Sequence, residues 1–105
     1  MLRRFGQIAR LKPDMIDEYE RLHAAVWPEV LKTIKDCNLQ NYSIYREGDE
    51  LFAYFEYTGT DYEADMEKMA RDLLTRSWWT HTHPCFIQKQ EGVFYTDMKE
   101  LFHVD

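Results

Sequence analysis

Two cysteines, three prolines and four glycines are all that 105 residues hold of the residue types that staple, break or loosen a chain. Cys37 and Cys85 are too few for a disulfide framework and form no Cys-x-x-C motif, so one bridge is allowed by the count but not implied by it. The chain contains no Gly-rich phosphate loop, no G-x-S-x-G elbow and no Cys/His signature of nucleophilic catalysis. Basic residues are also in deficit. Thirteen Lys and Arg against nineteen Asp and Glu give a formal net charge of −6, the wrong sign for a surface that meets nucleic-acid phosphates. Arg3, Arg4 and Arg10 come nearest to an anion cradle, but they stand in a strand-like stretch without a glycine loop beside them, which favours a neutral over an anionic substrate. The N-terminal stretch MLRRFGQIARLKPD lacks the apolar run of a signal peptide, and nothing approaches the length of a membrane span. The expectation is a reduced, cytoplasmic protein with neither a nucleic acid nor a membrane as partner.

What the chain has in quantity is aromatic surface. Three Trp, seven Tyr and six Phe, within a hydrophobic content of 45%, supply the core of one compact domain, residues 1–105. So small a chain leaves little room for a deep private cavity, which points to a ligand site between helix and sheet or at a subunit contact.

RRFGQIARL alternates as a strand, with Phe5, Gln7, Ala9 and Leu11 on one side, and ends at Lys12-Pro13-Asp14. Asp14 is the expected N-cap of a helix reaching to about Lys35, with Ile16, Tyr19, His23, Val26, Trp27, Val30, Leu31 and Ile34 forming one stripe. Pro28 interrupts that stripe, as a kink or as the first turn of a second, abutting helix. NYSIYREGDELFAYFEYTG reads as a hairpin turning at Gly48-Asp49, with Tyr42, Ile44 and Arg46 sharing a face. Helical spacing returns from Asp61 to Thr75. RSWWTHTHPCF reads as a short helical turn or loop stopped by Pro84, and the C-terminal stretch offers one or two closing strands. The order β-α-β-β-α-β specifies an α+β ferredoxin-like sandwich. Aromatic residues on both faces of its hairpin argue for sheet-to-sheet dimerisation into an α+β barrel.

Within the helical stripe, Tyr19 and His23 stand at i and i+4 and project together. One reading makes them core residues with satisfied polar tips. The other gives them a ligand, because a buried imidazole needs partners and titrates near neutrality. Trp78 and Trp79 offer two large apolar plates with one N–H each, suited to the C–H faces of a sugar, and one ring is expected to pack while the other meets ligand. His81, His83, Cys85 and His103 lack a characteristic metal-ligand spacing, so no metal site is expected.

Glu18-Tyr19-x-x-x-His23-x-x-x-Trp27-Pro28-Glu29, then Asn41-Tyr42-Ser43-Ile44-Tyr45, then Trp78-Trp79 and the closing LFHVD together resemble the L-rhamnose mutarotase family, in order over most of the chain. The resemblance implies a homodimeric, cofactor-independent isomerase that interconverts the α and β anomers of a neutral 6-deoxy-L-sugar. It matches His23 to the proton donor and Tyr19, Tyr42, Trp78 and Trp79 to sugar-contacting residues. Ser77, the His-rich THTHPCFI and the ending Phe102-His103-Val104-Asp105 depart from the family pattern and leave L-fucose beside L-rhamnose as the sugar. Cofactor-independent monooxygenases and non-catalytic ligand-binding modules share the architecture, which alone does not choose between them.

Overall fold

The first strand, β1 (Arg3–Leu11), buries Ala9 and Leu11 on the side it shares with Phe5 and Gln7, as its alternation requires. It is central to the sheet. Along one edge it pairs antiparallel with β3 (Glu50–Tyr57), from Arg3 opposite Tyr57 to Arg10 opposite Glu50. Along the other it takes two short strands, β4 (Phe86–Ile87) and β5 (Thr96–Met98). β2 (Leu39–Glu47) closes the far side of β3, giving the order β2-β3-β1-β4 with β5 also beside β1. The computed structural model describes residues 2–105.

Each of the two expected helices is a pair. Pro13–Met15 forms a 3-10 turn, and α1 (Ile16–His23) follows it with no side-chain cap. Asp14 is therefore not the N-cap: the preceding proline draws it into the tighter turn. α2 (Pro28–Asp36) starts at Pro28 itself, with Trp27 extended before it, which realises the abutting-helix alternative. Asn38, at φ 67°, then turns the chain in the left-handed region that asparagine tolerates. α3 (Tyr62–Arg71) is capped by the Asp61 carboxylate on the Ala64 N–H. The chain breaks at Asp72, whose carboxylate accepts from the N–H and hydroxyl of Thr75 and starts α4 (Leu73–Thr82). The stretch read as a short turn or loop is thus a ten-residue helix carrying both tryptophans. A polar cap, Asp72, supplies the start signal that the irregular apolar spacing of RSWW conceals.

The helices cover one face of the sheet. Ala9, Leu11, Leu51 and Phe86 form the main core with Tyr19, Leu22, Val30 and Trp78 from the helices. A second cluster gathers Leu39, Phe55 and Tyr57 beneath Tyr62 and Met66 of α3, with Phe5 stacked between Phe55 and Tyr62 at 4.9 and 4.7 Å. The opposite face has no helix on it among the described residues. There Phe52 of β3, Tyr45 of β2 and Met98 of β5 stand exposed, Tyr45 to 67%. No helix among the described residues is long and apolar enough to cross a membrane.

Candidate active site

One turn of α1 builds the centre of the site. Tyr19 and His23 are four residues apart, and their rings stack at 4.1 Å with 27° between planes. His23 Nδ1 lies 2.9 Å from the Tyr19 carbonyl oxygen. A carbonyl only accepts, so Nδ1 carries the proton in the neutral ring and Nε2 keeps its lone pair. Burial lowers the His23 pKa, against a smaller opposing effect of the Tyr19 hydrogen bond, so the imidazole is neutral at pH 7. The backbone thus fixes the tautomer, and Nε2 is a base ready to accept a proton.

A cleft of about 500 Å³ opens between α1 and the hairpin, lined by Tyr19, Glu20, His23, Ala24, Ile44 and Arg46 among others. The Arg46 guanidinium at its rim is occupied, donating 2.7 Å to Glu20 Oε1 and 2.7 Å to the Gly48 carbonyl. It offers no free cradle for an anion, in keeping with a neutral substrate.

The Tyr19 phenol points away from α1 toward the sheet, where its Oη lies 3.3 Å from Tyr95 Oη. Tyr42 reaches the same face from β2. A bulge between Gln40 and Ser43 puts Asn41 at φ 48°, hydrogen-bonded through its amide to Glu56 at 2.6 Å, and keeps Tyr42 on the helix side with its ring 5.3 Å from Phe55. Tyr42 makes no hydrogen bond to another described residue, and 37% of it is exposed. Its phenol is raised by burial first and then by Tyr95 and Tyr62, and the Tyr19 phenol by burial first and then by Tyr42 among others. Tyr19, Tyr42 and Tyr95 therefore form a cluster of protonated phenols.

The tryptophans part company because consecutive residues of an α-helix point about 100° apart. Trp78 turns inward, 5% exposed, with its ring 5.7 Å from His23 and 5.3 Å from Trp27. Trp79 turns aside and stacks on His83 at 5.3 Å, and His83 stacks on Phe94 at 4.0 Å. Trp79 lines a separate cleft of about 480 Å³ with Arg76, Thr80, His83, Pro84 and Gln88. Burial lowers the His83 pKa too, but no hydrogen bond from a described residue fixes its tautomer, so the His23 cleft is the better equipped for proton transfer. Of the five residues singled out in the sequence, the fold brings Tyr19, His23 and Trp78 into one cluster. Tyr42 joins from the sheet, and Trp79 faces its own cleft.

The other histidines stand apart. His81 meets Trp27 edge-on at 5.7 Å, and His103 pairs with Asp105 at 2.8 Å. Cys37 and Cys85 are free thiols with no accessible surface. Tyr95 is the site residue that sequence reasoning passed over. Its signal was the period-two placement of Tyr95 and Asp97 ahead of the tail, which puts both on the helix side of the sheet, where Gln7 donates 2.7 Å to Asp97.

Residues 4–104 match the family described as L-rhamnose mutarotase. An L-rhamnose mutarotase of Oceanobacillus iheyensis is 33% identical over 99% of this chain and 100% of its own length. One of Lactiplantibacillus plantarum is 31% identical over 97% and 98%. Among solved structures, an L-rhamnose mutarotase from Formosa agariphila superposes with a TM-score of 0.79 at 20% identity, covering 98% of this chain and 99% of that one. The tetracenomycin F2 cyclase of Streptomyces glaucescens gives 0.67 at 10% identity over 98% and 99%. These two likenesses bear on the fold alone, and the second shows the architecture serving different chemistry.

Proposed function

Because this chain belongs to the L-rhamnose mutarotase family, we propose that it interconverts the α and β anomers of L-rhamnose by acid/base ring opening and reclosure, as a single domain. The observation that carries the reading is His23: a neutral imidazole with its tautomer fixed by the Tyr19 carbonyl and its Nε2 free beside a cleft. Nε2 takes the proton of the anomeric hydroxyl while the C1–O5 bond breaks and C1=O1 forms, and the ring oxygen receives a proton from Tyr19 Oη. The open aldehyde turns about C1–C2. Reclosure on its other face returns the O5 proton to Tyr19, and the imidazolium donates its proton to O1, which is the donor role that the family resemblance assigns to this position. These steps call for neither a metal nor an organic cofactor. Tyr42 and Trp78 hold the sugar, whereas Trp79, which the family resemblance also matches to a sugar contact, faces the neighbouring cleft and stands apart from it.

L-fucose is the alternative sugar, because Ser77 and the tail Phe102–Asp105 depart from the family pattern. The protein acts as a homodimer in the cytoplasm: Tyr45, Phe52 and Met98 give the uncovered sheet face an apolar surface for a second copy, and the free thiols Cys37 and Cys85 suit a reducing compartment. Polarimetry of freshly dissolved α-L-rhamnose and α-L-fucose tests the activity. The reading expects relaxation of optical rotation faster than the spontaneous rate for L-rhamnose in proportion to protein. Acceleration with L-fucose alone would reassign the substrate, and with neither would leave a binding module.

A further inference from the structure

Tyr95 belongs to none of the motifs that identify the site, yet it is the hydrogen-bond partner of the Tyr19 hydroxyl, at 3.3 Å. Its ring is braced edge-on against Phe86 at 5.4 Å and 63°. Its backbone leads directly into β5, where Thr96 pairs with Ile8 and Asp97 with Gln7 of β1. The Tyr95 hydroxyl is therefore anchored on the sheet while Tyr19 is carried by α1, and the bond ties the two layers together at the site.

Burial is the first cause keeping both phenols well above their ordinary pKa, so both are protonated at neutral pH. Two hydroxyls that share one hydrogen bond leave one further proton to give, whichever of them donates. When Tyr19 passes its proton to the sugar ring oxygen, the phenolate it becomes needs a donor in a buried setting, and Tyr95 is the described residue already hydrogen-bonded to it. Its hydrogen bond acts on the Tyr19 pKa in the matching direction, downward.

We propose that Tyr95 is a positioning residue for anomer exchange: its hydroxyl, held by the sheet, orients Tyr19 Oη toward the sugar and donates to the Tyr19 phenolate as the ring opens. The proposal rests on the mutarotase reading above. The proton balance is that of the ring-opening step, since the Tyr95 proton stays on Tyr95 and only its hydrogen bond strengthens.

The experiment is a double-mutant cycle with Tyr95→Phe and Tyr19→Phe, reading kcat and KM for L-rhamnose by exchange NMR, with a thermal melt of each variant. Phenylalanine keeps the ring contact with Phe86, so the melting midpoint is expected to stay within a few degrees of the wild type. Tyr95→Phe should lower kcat roughly tenfold with KM nearly unchanged, the usual scale for one lost hydrogen bond in a transition state. In the Tyr19→Phe background the same change should cost less than twofold, because Tyr95 acts through Tyr19. An undiminished kcat in Tyr95→Phe, or an equal loss on top of Tyr19→Phe, would overturn the proposal. If the wild type catalyses no exchange, the mutarotase reading falls and this proposal falls with it; exchange in the wild type that Tyr95→Phe leaves untouched removes the Tyr95 role alone.

Discussion

His23 is the residue on which chemistry and pH dependence meet. Burial holds its pKa below the ordinary 6.5, and the fixed Nδ1–H leaves Nε2 as the base of the proposed exchange. Exchange should therefore be level at neutral and mildly alkaline pH and fall as pH drops through the depressed pKa, once Nε2 is protonated. A pH profile of kcat/KM checks this, and a fall beginning above pH 7 would contradict it. Stability carries the same sign. Below about pH 6.5 the unfolded imidazole binds protons that the folded one refuses, so the contribution of His23, and likewise of His83, is present above that pH and is lost as pH falls. Urea midpoints at pH 5 and pH 7.5 compare the two conditions. Trp78 serves two ends at once: buried against Trp27 and beside His23, it should cost about 3–5 kcal/mol when replaced by alanine and weaken sugar binding as well. Trp79→Ala should cost clearly less, because that ring is only half-buried.

Elements repeat the pattern that local signals are legible where one physical rule governs them. The alternation of β1 and the Gly48 turn of the hairpin, at φ 60°, could be read directly from the chain. So could the break at Pro28, because proline removes a helical donor and restricts its predecessor. Asp14 misled because two rules compete there: a good capping side chain lies next to a proline that favours a 3-10 turn. α4 was hidden because its apolar residues, Leu73, Leu74, Trp78 and Trp79, are not spaced as one stripe, while its start depends on the Asp72 side chain. The bulge at Asn41 was equally hidden. Strict alternation would set Leu39 on the opposite face from Tyr42, whereas the inserted residue lets both face the helices. Asn41→Val should cost about 1–2 kcal/mol, the penalty of a β-branched residue in left-handed backbone, and Asn41→Gly much less; urea unfolding distinguishes them. The chain announced Tyr19, His23, Tyr42 and Trp78 as candidates, but that Tyr95 meets Tyr19 depends on how β5 registers on β1, a long-range pairing that no local spacing encodes.

At the scale of the whole molecule, one face of the sheet carries the helices and the site, and the other is left uncovered. A negatively charged monomer gains little from leaving Tyr45, Phe52 and Met98 in water, and burying them against a second copy is the simplest remedy. The proposed dimer should show in sedimentation at micromolar concentration. Tyr45→Glu combined with Phe52→Glu should give a folded monomer, and a wild type that sediments as a monomer would contradict the dimer without touching the chemistry at His23.

The central claim is that this chain moves protons on a 6-deoxy-L-sugar through His23. Saturation transfer between the α and β anomeric protons of L-rhamnose, measured at neutral pH with the wild type and with His23→Ala, tests it most directly. The account predicts fast transfer with the wild type and near-spontaneous transfer with a folded His23→Ala protein; full exchange in that variant would contradict it.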